Sequence, residues 1–303
     1  MHMTAPFIPR RMIFQAILFL DILLLHFGPL PVCTEAVAQM DSERYIKLDA
    51  PFVRTPDNVI AEILAKAGVG KDDVLYDLGS GDGRIVTEAA RQTGCRAVGI
   101  EIDADLVNDS IRNAVRAGVY DRVRFVVADI FKEDFSEATV VTIYMTGDVN
   151  RRLRPKLLRE LKPGSRIATY TFDMGDWKPD DTLSFGWEDA YFWIVPANAS
   201  GKWIWTEGKG RSKTRWELEL KQAFQEISGQ LIRNGHHFAV REGKIKGDEI
   251  RFTLDRDPAA KAALVEFTGR IRGNTIVGVI AAETSSRTWK ASRNPATMLR
   301  IDH

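Results

Sequence analysis

Hydrophobic and polar positions divide the chain into two regimes. From Thr55 to about residue 195, short apolar runs alternate with segments whose apolar residues recur every three or four positions. Thr55-Pro56 opens a helix, with Thr as N-cap and Pro at the first helical position. Val59, Ile60, Ile63, Leu64 and Ala67 form its apolar face, and Gly68 and Gly70 stop it. Strand Val74–Leu78 then leads to helix Arg84–Gln92, and strand Ala97–Glu101 to helix Ala104–Ala117. Strand Val123–Asp129 is followed by a crossover containing Phe131–Phe135. Strand Val140–Met145 leads to helix Val149–Leu161, and Lys162-Pro-Gly164 turns into strand Ser165–Phe172. This βαβ rhythm predicts a doubly wound α/β fold: a parallel sheet with helices on both faces and ligands outside the carboxyl ends of its strands. Two more strands, near Thr182–Phe185 and Tyr191–Val195, bring the count to seven.

At Pro196-Ala-Asn-Ala-Ser-Gly201 the pattern changes, and from Trp203 onward apolar and polar residues alternate in short runs. Gly243-Lys-Ile-Lys-Gly-Asp-Glu-Ile250 and Gly269-Arg-Ile-Arg-Gly-Asn-Thr-Ile276 repeat one motif, with Gly-Asp and Gly-Asn as hairpin signals. Ile227-Ser-Gly-Gln-Leu-Ile232 reads as a worn third copy. Residues 198–303 are therefore expected to form an antiparallel meander of seven or eight strands, a small barrel or half-barrel, after a first domain spanning 41–197.

Composition changes little in this picture. The 303 residues allow one large or two moderate domains, and a net charge of +1 gives no global field toward nucleic acid. Two cysteines, Cys33 and Cys95, make no disulfide framework, and no C-x-x-C or His/Cys cluster suggests a metal. The N-terminus adds an address. Arg10-Arg11, the apolar run Met12–Leu25 and Ala36-Val37-Ala38 describe a signal peptide or anchor over residues 1–38. Asp21 within the run argues against a permanent membrane span. Export to the periplasm or membrane anchoring is expected, the alternative being a cytoplasmic protein that starts at Met40.

The chemistry concentrates at Asp77-Leu-Gly79-Ser80-Gly81-Asp-Gly83. A dinucleotide corner reads G-x-G-x-x-G and aims a helix N-terminus at a pyrophosphate. Here the third glycine comes one residue early, and a carboxylate stands two residues before the first. An acid at the strand tip repels a pyrophosphate but suits an ammonium or sulfonium, which points to S-adenosylmethionine (SAM). Asp77 is expected near the methionine ammonium, with Gly79, Ser80 and Gly81 giving close contacts. Glu101 should take the ribose hydroxyls and Asp129 the adenine amino group, with Ile130 packed on the ring.

This corner resembles the first motif of the class I methyltransferases. Pro51-Phe-Val-Arg-Thr-Pro56 and Phe172-Asp-Met-Gly-Asp-Trp-Lys-Pro179 resemble elements of the branch that includes mitochondrial lysine N-methyltransferases and exported bacterial homologues. The similarity covers roughly residues 48–196 and departs at Arg54, where the family often has proline. It implies a seven-stranded Rossmann-like sheet and methyl transfer to an amine, plausibly a protein lysine. Candidates on the acceptor side are Tyr144, Thr146 and Asp148 after the fourth strand, Thr55, and Asp173, Asp176 and Trp177. Trp177 is expected either to wall a methylated cation or to pack in the core.

Two alternatives stay open: an O-methyltransferase of a quinone, lipid or other metabolite, and a non-catalytic SAM-binding module whose β domain does the work. Elsewhere, His236-His237 reads as a surface pair and Gly208–Arg215 as a solvated basic hairpin tip. Trp203, Trp205 and Trp216 read as barrel core.

Overall fold

The computed structural model describes residues 50–208, 210, 213–254 and 265–301. The expected export segment, Cys33, Met40 and parts of the basic 208–215 loop lie outside the described residues. Helix α1 (Asp57–Lys66) precedes strand β1 (Val74–Leu78), helix α2 (Arg84–Thr93), β2 (Arg96–Glu101), α3 (Ala104–Arg116) and β3 (Val123–Val127). Then come β4 (Val140–Ile143), α4 (Gly147–Glu160), β5 (Arg166–Tyr170), β6 (Asp181–Ser184) and β7 (Asp189–Ile194). The seven strands order as β3-β2-β1-β4-β5-β7-β6. The first five run parallel, while β7 pairs antiparallel with both β5 and β6, so the sheet is mixed. Central β1 and β4 are buried along their whole length, as continuous apolar runs between helical layers should be.

Thr55 does not cap α1. Pro56 holds the N-cap position in extended geometry, and its carbonyl accepts the first helical bond, from Ile60. Its φ of −62° would suit a helix, but its ψ of 144° carries the extended lead-in one residue further than expected. Thr55 is buried instead, and its carbonyl accepts from Arg84 Nη1 at 3.0 Å.

Strands β8 (Gly201–Glu207), β9 (Thr214–Ala223), β10 (Glu226–Arg233), β11 (His236–Lys246), β12 (Glu249–Leu254), β13 (Val265–Arg272), β14 (Thr275–Ala282) and β15 (Ser285–Arg293) form a closed up-and-down barrel. Both repeat motifs make the hairpins expected of them, turning at Gly247-Asp248 and Gly273-Asn274. The third copy does not. Ile227–Ile232 runs inside β10, where Gly229 forms part of an irregularity against β11, and a Cβ there would strike the Glu219 carbonyl. Trp203, Trp205 and Trp216 are buried in the barrel core. The seam between β15 and β8 is short, and buried Arg293 closes it by donating to the Asn198 and Ser200 carbonyls at 2.9 and 2.7 Å. His236 and His237 are exposed neighbours, His237 Nδ1 lying 2.9 Å from Gln230 Oε1.

The lower turns of the barrel meet the sheet where β5 begins and β7 ends. Ala197 N donates to Gly247 O at 2.7 Å, and Gln225 Nε2 to Lys178 O at 2.8 Å. Trp177 forms the joint. Its fully buried indole stacks on Phe224 at 5.8 Å and 10° and leans on Trp193 at 6.0 Å. Trp177→Ala is expected to cost about 3–5 kcal/mol by opening this cavity. Denaturant unfolding measures it, and a loss below about 1 kcal/mol would mean the joint relaxes onto other contacts.

Candidate functional site

The carboxyl ends of β1, β2 and β4 converge on the loop between β1 and α2. Gly79, Gly81 and Gly83 all adopt positive φ there (82°, 54° and 73°). At Gly83 a Cβ would come within 2.7 Å of Ser110 and Phe125, so the loop and α3 touch only because it is glycine. At Gly81 the same atom would collide with the ring of Phe52, which the lead-in lays over the loop. Gly79 N and Ser80 N both donate to Ile100 O, at 2.9 and 3.0 Å, fastening the loop to β2.

Asp77 ends its strand 2% exposed, and Thr142 Oγ1 donates to it at 2.7 Å. Among the described residues no lysine or arginine pairs with it. Burial, with the nearby charges of Glu101 and Asp82, pushes its carboxyl up to about 7. Glu101, 8% exposed, has a different task from its neighbour. Its Oε2 accepts from Gly81 N at 2.9 Å, and Oε1 accepts from Ile102 N and Asp103 N at 2.8 and 3.0 Å. It therefore clamps the glycine loop to the start of α3. Ser80 Oγ is buried and has no hydrogen-bond partner.

Asp129 lies two residues past the end of β3. Its Oδ1 accepts from Phe131 N at 2.9 Å, a bond that, with Lys132 beside it, holds the carboxyl below the usual range. Ile130 is buried in the core cluster beneath the sheet.

On the acceptor side the expected residues separate. Tyr144 packs edge-on against Tyr170 at 4.9 Å, and buried Thr55 shares a narrow crevice with both. Thr146 caps α4, accepting from Val149 N at 3.4 Å, and exposed Asp148 pairs with Arg151. Asp173 accepts from Gly175 N at 3.0 Å, and Asp176 is exposed. Trp177 does not join them. Its ring is sealed between sheet and barrel, so the aromatic wall expected for a methylated cation is not formed by this residue.

Several residues here carried no clear signal in sequence. Asp82 is buried and bonded twice by Arg84 at 2.9 Å, with Arg54 3.5 Å away. Burial alone would raise its carboxyl, but the two cations hold it below the usual range. Arg54, where the sequence departs from proline, thus helps tie the lead-in to the loop. Thr171 has φ 66°, and Phe172 N donates across it to Tyr170 O at 2.8 Å. A γ-turn at positive φ on a β-branched residue is a strained feature, and such strain gathers at functional sites. Glu188 holds this turn by accepting from Tyr170 Oη and, at 3.3 Å, from Thr171 Oγ1.

The corner fits a cationic nucleoside. It holds a buried carboxyl with no lysine or arginine partner among the described residues, and three successive glycines at positive φ beside it. Comparison with known proteins agrees. The model of the ANTKMT methyltransferase domain matches residues 77–181. A protein-lysine N-methyltransferase of Saccharolobus islandicus (strain REY15A) is 41% identical over 134 residues, 44% of this chain and 83% of that protein. The chain belongs to this methyltransferase family. The methyltransferase is also 31% identical over 157 residues to the adenine nucleotide translocase lysine N-methyltransferase of Mus musculus, spanning 52% of this chain and 67% of that one. Of two further lysine N-methyltransferases, from Mus musculus and Homo sapiens, it spans 60% and 59% of the length. A solved chain described as an RNA methyltransferase of Salinibacter ruber in complex with S-adenosyl-L-homocysteine is 51% identical. It covers 48% of this methyltransferase and 94% of itself, with a TM-score of 0.47. Sheet order and family together make the methyltransferase a class I enzyme whose cofactor is SAM, and its barrel lies beyond the residues that the family model matches.

Proposed function

We propose that the enzyme transfers the methyl group to the side-chain amine of a lysine in a protein. The relatives named as lysine N-methyltransferases support the acceptor class. The observation that carries the cofactor half of the reading is Asp77: a carboxyl buried beside the glycine loop, with no lysine or arginine partner among the described residues, is suited to the ammonium of SAM. Ser80, the glycine loop and Glu101 would hold the nucleoside, and Asp129 would flank its base. When bound, SAM would supply an electrophilic methyl carbon on a sulfonium, transferable to the amine nitrogen with loss of a proton from nitrogen and release of a neutral thioether. The chain's own residues place the amine and strip its water, and much of the rate comes from that placement. Half-buried Tyr144, backed edge-on by buried Tyr170 past the end of β4, would give an apolar wall against which a desolvated lysine more readily loses its charge.

A macromolecular acceptor also suits the rim. Trp187 stands fully exposed in the turn between β6 and β7, and its neighbour Glu188 anchors that turn to the strained end of β5. Exposed tryptophan beside a site is a common anchor for a protein partner. Trp187→Ala is expected to raise KM for a protein acceptor about tenfold with little change in the affinity for SAM. Equal KM values for variant and parent would remove Trp187 from the acceptor surface.

Radiolabelled SAM, incubated with the enzyme and cell-envelope or lysate fractions, tests the acceptor. Label recovered as methylated lysine after protein hydrolysis supports it. Label in extracted lipid or quinone points to an oxygen acceptor. SAM binding without any label would leave a binding module. As part of the same proposal the N-terminal segment acts as an export signal, and mass spectrometry of the mature N-terminus from cells should find it begin near residue 39. A terminus at Met40 with no precursor would argue for the cytoplasm.

A further inference from the structure

We infer that the end of the barrel away from the sheet holds a second binding site, for a small amphipathic anion with an apolar ring or branched chain. The strands alternate in direction, so one set of turns meets the sheet and the other end of the barrel points away from it. At that far end lies a cavity of about 240 Å³. Part of its wall is apolar, formed by Leu231, Phe238, Leu254, Phe267, Ile280 and Ala282. An apolar cavity of about 150 Å³ holds a benzene ring, so this one has room for a fused bicyclic ring or a chain of similar bulk.

The charged residues that line the cavity, among those described, are both cations. Trp216 lines it, and the buried indole Nε1–H of this residue has no hydrogen-bond partner. Two guanidiniums converge on the same indole, Arg233 at 4.7 Å and Arg287 at 5.9 Å from its centroid, and both line the cavity. Glu207 neutralises Arg287 in part, with Oε1 3.3 Å from its Nε, and also accepts from Trp205 Nε1 at 3.4 Å. Among the described residues no carboxylate lines the cavity itself, and Ser285 adds a hydroxyl at its rim. Apolar walls with a few converging polar groups are how small-molecule pockets are built. Two guanidiniums and no lining carboxylate among the described residues select an anionic head such as a carboxylate or sulfonate. Because an eight-stranded barrel has an interior just wide enough for side chains or one small ligand, and Trp205, Trp289 and Phe252 fill the layer below, the ligand stops at the mouth.

Calorimetric titration of the full chain with 2-naphthoate and with its neutral analogue 2-naphthamide tests the site. Saturable 1:1 binding of naphthoate is expected, with naphthamide about tenfold weaker or worse. Ala282→Phe, which fills the cavity, should abolish binding. The surface pair Arg233→Gln and Arg287→Gln should weaken naphthoate to the level of naphthamide while leaving SAM-dependent methyl transfer and the circular dichroism spectrum unchanged. Three results each overturn the proposal: no saturable binding up to millimolar naphthoate, equal affinity for the neutral analogue, or undiminished binding to Ala282→Phe. The naphthoate and naphthamide comparison needs no variant, so misfolding of a mutant cannot decide the outcome.

Discussion

Asp77→Asn is expected to lower SAM affinity and methyl transfer by about a hundredfold or more while leaving the chain more stable at alkaline pH. The affinity falls because an ammonium brought into this corner would lose its buried counter-charge. Stability rises because Asp77 is nearly fully enclosed, receives one bond from Thr142, and has Glu101 and Asp82 as charged neighbours. Its carboxyl titrates near 7 in the folded chain against 3.8 for the ordinary group. Between those pH values the folded protein keeps a proton that the unfolded chain has released. The stability due to the protonated group is therefore complete below about 3.8 and is lost as pH rises to 7. The loss is on the order of 4 kcal/mol by the linkage relation. Asn keeps the bond from Thr142 and carries no charge, so at pH 8 the variant should melt about 5 °C or more above the parent. A cofactor whose cation pairs with Asp77 must also displace that proton. SAM binding should then tighten as pH rises toward 7 and release close to one proton at pH 6, a release seen by calorimetry in buffers of different ionisation heat. Affinity flat from pH 6 to 8 would separate Asp77 from the cation.

The reach of sequence reasoning followed the range of the interactions. Gly79, Gly81 and Gly83 marked the β1–α2 corner because positive φ demands that residue locally. Apolar runs and helical periodicity placed the seven strands and the intervening helices to within a few residues. In the barrel, alternation put Trp203 and Trp205 inside. The hairpin dipeptide Asn234-Gly235 went unused even though it turns β10 into β11. Ile227–Ile232 misled because Gly229 serves a close approach to the Glu219 carbonyl, which is a property of the neighbouring strand and not of its own segment. Trp177 shows the same limit. Its spacing in the motif suited either an acceptor wall or a core residue, and the stacking on Phe224, far away in sequence, decides for the core. The clamp of Arg54 and Arg84 on Asp82 joins the lead-in to the loop across the fold, and the strained φ of Thr171 has no residue-type signature at all.

Glu101→Gln is expected to damage both the fold and the cofactor site, the reverse of the pattern at Asp77. Three backbone N–H groups converge on its carboxylate, one from Gly81 on Oε2 and two from Ile102 and Asp103 on Oε1. A carboxylate can accept all three, but an amide has one oxygen and one donor-only nitrogen. With the amide oxygen turned to Ile102 and Asp103, its NH2 faces the Gly81 N–H, and a buried donor is left unpaired at a cost of about 1–3 kcal/mol. The melting temperature should fall by about 3–10 °C for a chain of this size. The loop that Gly81 occupies is also the one proposed to receive SAM. The affinity for SAM should therefore drop about tenfold to a hundredfold further than the stability loss explains, since the ribose hydroxyls would also lose an ionised acceptor. Thermal melts with and without SAM separate the two effects. A variant that melts low but is restored fully by SAM would keep Glu101 as a clamp and remove it from the ribose. Glu101→Asp makes the same point from the other side. It retains the charge but shortens the reach, so it should spare neither the Gly81 bond nor the affinity for SAM.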